Sequence, residues 1–238
     1  MRRRADPGWW RWGWTHRTTT GMPPPRSPPA GSPGAGSPSR PFGGAGDQAM
    51  FGVTAGGPGL VAVGMDSPHD HWDAAAWVST DGLTWSRVTQ PAFRRADDQA
   101  TWRVIAGGPG LVALGYEMSG GDQDAAVWTS ADRSTWDRIP PQSLRAEGDQ
   151  EMCGMARGGP GVVIVGYERS GTDWDGAVWT SADGITWDRV AHDEAALGGD
   201  GDQSMTVALA SGGRLVAVGW AARSGPGDAA VWVSPPPG

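Results

Sequence analysis

A unit that opens on Asp-Gln and closes on a Trp-bearing turn recurs along this chain every 51 to 53 residues. The openings are Asp47-Gln48, Asp98-Gln99, Asp149-Gln150 and Asp202-Gln203, and the closing residues are Trp85, Trp136 and Trp187. Self-similarity at such a period restricts the chain to a repeat architecture, in which one unit buries its apolar face only against the next. The first 18 residues of each unit align without gaps: DQAMFGVTAGGPGLVAVG, DQATWRVIAGGPGLVALG, DQEMCGMARGGPGVVIVG and DQSMTVALASGGRLVAVG. A variable stretch follows. Then come DAAAWVSTDGLTW, DAAVWTSADRSTW, DGAVWTSADGITW and, cut short, DAAVWVSPPPG.

Each unit divides into four strand-sized pieces. The first follows Asp-Gln. Gly-Gly-Pro-Gly is a tight turn, with Pro presetting φ and Gly supplying positive φ. Leu-Val-Ala-Val-Gly is the second strand and Ala-Ala-Val-Trp-Thr-Ser the third. Asp-Gly then signals a hairpin into a fourth strand that begins Thr-Trp. The pieces are short and β-branched, with Gly or Pro between them, which excludes helix. Four short antiparallel strands repeated at about 50 residues are the signature of a β-propeller blade. The expected fold is therefore all-β, a propeller of about four blades over 46–97, 98–148, 149–201 and an incomplete 202–238. A β-sandwich fits less well, because its strands do not recur with the same turn chemistry at a fixed period.

Residues 1–45 differ in kind. They hold seven Arg and one acidic residue, whereas 46–238 hold 12 Arg and 25 Asp or Glu. Residues 21–46 are rich in Pro, Gly and Ser and bury too little to offset ordering entropy, so a disordered tail is expected over 1–45. The acidic body argues against nucleic acid. No run of about 18 apolar residues exists to span a membrane. Arg2, Arg3 and Arg4 are followed by Trp9, Trp10, Arg11, Trp12 and Trp14, a poor signal peptide. The compartment stays open, the extracellular space included. Cys153 is alone, so it forms no intrachain disulfide, and as part of a strand it is expected to be a buried, inert thiol.

The segment Ser79-Thr80-Asp81-Gly82-Leu83-Thr84-Trp85 resembles the Asp box of sialidases and related propellers, as do the segments 130–136 and 181–187. The family pattern is roughly Ser-x-Asp-x-Gly-x-x-Trp. Here Asp and Gly are adjacent, and Arg133 stands where Gly is expected. The resemblance implies a sialidase-like propeller in which the box is a folding motif set away from any catalytic centre. Physically, Asp and Ser cap the turn's amides and the Trp covers the hairpin. A buried Trp removes on the order of 150–250 Å² from water, roughly 4–6 kcal/mol before entropy. Trp77, Trp128, Trp179 and Trp232 on the third strands are expected in the core with the box tryptophans.

Propeller geometry turns the repeat into a map. The nearly invariant turns lie on one face. The loops between second and third strands (65–73, 116–124, 167–175, 220–228) and between blades (89–97, 140–148, 191–201) lie on the other and differ between units. Individual chemistry belongs on this divergent face. First strands line the channel, so Asp47, Asp98, Asp149 and Asp202 are expected as a ring at its mouth. A ring of like charge attracts a cation, with calcium the candidate. The plainer alternative, which the residues favour, is that each Asp-Gln bonds the neighbouring blade's backbone. No other cofactor is implied. The only His/Asp cluster, Asp66, His69, Asp70, His71 and Asp73, matches no ligand spacing and reads as a solvated polar loop.

No catalytic residue is assigned. A sialidase-like hydrolase needs arginines for a substrate carboxylate, a Tyr nucleophile with a Glu beside it, and an Asp acid. Tyr116 and Tyr167 recur in phase before Glu117 and Glu168, as scaffold residues do. The expected function is a non-catalytic propeller that binds a protein or glycan on its divergent face. The alternatives are a divergent exo-sialidase-like glycoside hydrolase, or an incomplete propeller without a function of its own. The last unit stops at its third strand, so self-association to close the propeller is also expected.

Overall fold

The computed structural model describes residues 46–68, 70–119, 122–140, 144, 150–159, 161–170, 172–222 and 227–235. The tail expected over 1–45 lies outside the described residues, as does Asp149. The strands form four antiparallel sheets in sequence order. Blade 1 comprises β1 (Gln48–Ala55), β2 (Leu60–Asp66), β3 (Asp73–Ser79) and β4 (Ser86–Val88). Blade 2 comprises β5 (Gln99–Gly107), β6 (Gly110–Ser119), β7 (Asp122–Ser130) and β8 (Asp137–Arg138). Blade 3 comprises β9 (Gln150–Gly158), β10 (Gly161–Ser170), β11 (Asp173–Ser181) and β12 (Asp188–Arg189). Blade 4 has three strands, β13 (Asp202–Ser211), β14 (Arg214–Ala222) and β15 (Asp228–Val233).

The fold is a β-propeller. Each inner strand lies against the preceding blade: β5 on β1, β2 and β3; β9 on β5, β6 and β7; β13 on β9, β10 and β11. Among the described residues no ladder joins blade 4 back to blade 1. Three apolar clusters fill the junctions. Val61, Val63, Ala74 and Ala76 of blade 1 meet Val104, Leu111, Trp128 and Trp136 of blade 2. Val112, Leu114 and Val127 meet Met155, Ile164, Trp179 and Trp187. Val163 and Val165 meet Met205, Ala208 and Ala217. In blades 2 and 3 one side of the sheet therefore covers the blade behind it, and the other is covered by the blade ahead.

Two features depart from the simple strand reading. The fourth strands begin after the box Trp rather than at Thr-Trp, because the Thr amide is spent on the box Asp. Each inner strand also carries a one-residue bulge, at Phe51, Trp102, Cys153 and Thr206. A bulge bends its strand and re-aims the neighbouring side chains. It also explains a glycine that recurs within every second strand. A side chain at Gly64, Gly115, Gly166 or Gly219 would run into the carbonyl of Ala49, Ala100, Glu151 or Ser204 just before the bulge.

The linkers between blades do more than vary. Each drops one apolar side chain into a junction, Phe93, Leu144 and Leu197 in turn. Phe93 sits on a 3-10 turn (Pro91–Phe93), with its ring 6.2 Å from that of Trp128 and 5.6 Å from that of Trp136. Trp77, Trp128 and Trp179 are fully buried, as expected, whereas Trp232 on blade 4 is half-buried.

Candidate functional site

The turn face repeats the same hydrogen bonds three times. Asp81 Oδ1 accepts from the amides of Leu83 and Thr84 at 2.8 and 2.7 Å, and Ser79 Oγ accepts from Gly82 N at 2.8 Å. Asp132 and Asp183 do the same for Ser134 and Thr135, and for Ile185 and Thr186. The indole N–H of Trp85, Trp136 and Trp187 closes each turn on the carbonyl of Gly82, Arg133 and Gly184. These amide bonds, the Thr amide first, hold all three Asp carboxyls down at about 2. Arg133 adopts φ +74°, matching Gly82 at +75° and Gly184 at +74°, so it occupies the left-handed slot that its sequence position implied.

At the opposite face each four-stranded blade ends in two carboxylates in register: Asp66 opposite Asp73, Glu117 opposite Asp124, and Glu168 opposite Asp175. All six are buried. The first of each pair binds an arginine from the outermost strand, Arg87, Arg138 or Arg189. A clasp thus spans β2 to β4 over β3, and likewise in the next two blades. Asp66 and Asp73 are buried strand ends, which corrects the reading of 66–73 as a solvated loop; His69 lies outside the described residues. Burial follows from the register, which seats both carboxylates on the sheet beside an arginine. In blade 4 the acidic position is Ala221, opposite an exposed Asp228.

The aspartates expected at the channel mouth are partly engaged. Asp98 Oδ1 accepts from Trp72 N at 2.8 Å, and Asp202 Oδ1 from Trp174 N at 3.0 Å, each on the preceding blade. Gln99 N returns a bond to Trp72 O at 2.7 Å. Asp47, in the first unit, is exposed and binds Ser67 through its own backbone. Behind them Gln99 and Gln203 are buried, and both amide atoms of Gln99 lack a hydrogen-bond partner.

The most distinctive group on the divergent face lies between β9 and β10. Glu151 sits directly opposite Tyr167, and the Tyr167 hydroxyl donates to Glu151 Oε2. Burial raises the Glu151 carboxyl and, together with the Glu151 charge, raises the Tyr167 phenol. Cys153 Sγ lies 3.9 Å from Glu151 Oε1, and its thiol is pushed up by burial. Trp174 meets Tyr167 edge-on at 5.1 Å, and the Arg169 guanidinium stands 5.6 Å over the Trp174 ring. Nearby on blade 2, Tyr116 stacks on Trp102 at 5.1 Å, and its phenol is raised by burial and by the charges of Asp98 and Glu151. Glu151 was not singled out from the sequence, though its column carries a signal. At its repeat position the other units carry Ala49, Ala100 and Ser204, so one acid stands in a slot for small residues.

Among the described residues one group could hold a metal ion, Asp175, His192 and Glu194. His192 Nε2 lies 3.0 Å from Glu194 Oε2 and 3.9 Å from Asp175 Oδ2. His192 and the Gly199 amide keep the Glu194 carboxyl below its usual range. The sequence reading passed over this group because its members come from β11 and from the loop after β12. On the same face, Arg95 lies 3.4 Å from Glu117 and lines a recess of about 340 Å³ with Asp97 and Ser119. Arg145 and Arg223 are outside the described residues.

No protein-family model matches the chain, and no curated protein matches it. Solved structures do resemble it. A glycosyl hydrolase from Bacteroides ovatus is 14% identical with a TM-score of 0.47, over 74% of this chain and 61% of that one. A thermostable family-43 glycoside hydrolase is 11% identical with a TM-score of 0.46, over 76% and 66%. An arabinanase from Bacillus subtilis is 9% identical with a TM-score of 0.43, over 74% and 67%. The likeness is one of fold. This chain spans about three fifths of the length of such structures.

Proposed function

We propose that the protein is a glycoside-hydrolase-like propeller of the Asp-box kind that takes a glycan on its divergent face, with Tyr167 and Glu151 as the reacting pair. The observation that carries this is the hydrogen bond from Tyr167 to Glu151, formed at the one inner-strand position where the repeat turns acidic. Glycosidases that use a Tyr nucleophile need a base to take the phenol's proton. Burial raises the proton affinity of Glu151, which suits it to take the phenol's proton as the Tyr167 oxygen bonds the anomeric carbon and the bond to the aglycone oxygen breaks; the aglycone takes its proton from solvent, and water then releases the sugar from Tyr167. Trp174 and Arg169 beside the pair offer an aromatic face and a cation to a polar ring.

A second reading is a non-catalytic glycan- or protein-binding propeller. One observation favours it: Arg87, Arg138 and Arg189 are each held by a carboxylate of their own blade, so they do not gather to hold a substrate carboxylate. A panel of fluorogenic aryl glycosides, a sialoside included, separates the two readings when run beside a glycan array. The hydrolase reading expects turnover that falls about 10²–10⁴-fold in Glu151→Gln and in Tyr167→Phe. Array binding without turnover of any substrate sinks it in favour of the second reading.

A further inference from the structure

The linker from blade 3 to blade 4 breaks the repeat in its charges. The first two linkers follow their buried anchor with an arginine, as Phe93-Arg94 and Leu144-Arg145, whereas the third reads Leu197-Gly198. Ahead of its anchor the third linker carries His192 and Glu194, where the first has Val88 and Gln90 and the second Ile139 and Pro141. The anchor then sets these two residues in place. Leu197 is buried between blades 3 and 4, and its carbonyl accepts from Gly176 N at 2.8 Å, beside Asp175 on β11. The Ala196 and Leu197 amides bond Asp193 O, which turns the loop so that His192 and Glu194 meet Asp175.

Asp175 is the member that calls for a ligand. Its side chain is only 5% exposed, and among the described residues no donor lies within hydrogen-bond reach of it. His192 Nε2 stands 3.9 Å from its Oδ2, too far for a hydrogen bond. Buried carboxylates are paired or coordinate metals. The neighbouring arginine is already spent, since Arg189 binds Glu168, the register partner of Asp175. In blade 2, by contrast, Glu117 takes both Arg138 and Arg95.

We propose that Asp175, His192 and Glu194 hold a divalent transition-metal ion of the zinc kind, which staples the linker to β11. One imidazole and two carboxylates are a donor set that zinc accepts, with a further position left for water. With the imidazole neutral, as metal binding requires, the two carboxylates balance the charge of the ion. The donor atoms lie within 4.8 Å of one another. Their separations of 3.0 Å for His192–Glu194 and 3.9 Å for His192–Asp175 bracket the roughly 3.4 Å that tetrahedral bonds of about 2.1 Å demand. Gly199 N donates to Glu194 Oε1 at 3.0 Å, which leaves Oε2 for the ion. Gly198 keeps the space open: a Cβ there would lie 2.8 Å from Glu194 Oε2 and 2.9 Å from His192 Nε2. Calcium is poorly served, because it takes six to eight oxygens.

Calorimetric titration of zinc into the full chain, stripped with EDTA and desalted, tests this. The expected stoichiometry is one zinc per chain. The melting temperature should rise by roughly 5–10 °C at free zinc about a hundredfold above Kd. His192→Ala, Glu194→Gln and Gly198→Ala all lie in the surface loop and keep the far-ultraviolet spectrum of the wild type. Each weakens zinc at least about tenfold. A chain that takes up no zinc overturns the proposal, since His192 then serves as a cation between two carboxylates. So does an unchanged affinity in any of the three variants, which would put the zinc elsewhere on the chain, or displacement of the zinc by millimolar calcium.

Discussion

At the turn face, Ser79, Ser130 and Ser181 and the three box aspartates hold one hydrogen-bond pattern in three blades. At the opposite face, the slot filled by Ala49, Ala100 and Ser204 holds Glu151 in a single blade, bonded to Tyr167. Repetition at the first face reflects a local need, since every hairpin of this type leaves the same amides to satisfy. Singularity at the second marks a group the fold does not require of every blade. The division is not complete. The arginine–carboxylate clasps sit at the divergent end and recur in phase, and Phe93, Leu144 and Leu197 descend from the variable linkers into the core. The divergent face is a repeating support with a few individual groups set into it.

That contrast can be broken in several ways. Trp179→Ala should cost most, about 3–5 kcal/mol, because the ring fills the junction between blades 2 and 3. Trp232→Ala, the same change in blade 4, should cost less than half of that in denaturant melts, since its ring is half-buried. Arg138→Ala should cost roughly 3 kcal/mol by leaving buried Glu117 with only the exposed Arg95 as a cation. A negligible cost there would mean that the clasps are not structural and that this end is freer to act than its repetition suggests.

Smaller effects sharpen the turn-face side. Arg133→Gly should stabilise the protein by about 1 kcal/mol, because it removes a side chain from a left-handed backbone. The box aspartates should show themselves in acid. Their folded value of about 2 lies below the ordinary 3.8, so their contribution is complete above about 4 and is lost as pH falls through 2. Asp132→Asn should therefore flatten the acid limb of the stability curve between those values while changing little of its shape near neutrality.

Turns and the first three strands of each unit were legible in the sequence because each rests on a few adjacent residues. Asp-Gly with a following Trp, or Gly-Gly-Pro-Gly, states its own conformation, and even the strain at Arg133 could be read from the repeat. The pairing of Glu151 with Tyr167 could not. It spans 16 residues and depends on a ladder register set by the bulge at Cys153, which no local pattern announces. Asp175 and His192 meet for a similar reason, across β11 and the loop beyond β12. The clue available for Glu151 was its column in the alignment, a charged residue among small ones. The burial of Asp66 and Asp73 was hidden because the arginine that accompanies them arrives from a strand two places away.

The most direct measurement sets one residue from each face side by side: glycoside turnover and melting temperature for the wild type, Glu151→Gln and Asp132→Asn. The account predicts that Glu151→Gln loses turnover at an unchanged melting temperature. Asp132→Asn should keep its turnover per folded molecule and melt earlier. Wild-type turnover in Glu151→Gln, or loss of turnover in a folded Asp132→Asn, would contradict the assignment of chemistry to the divergent face and of scaffold to the turn face.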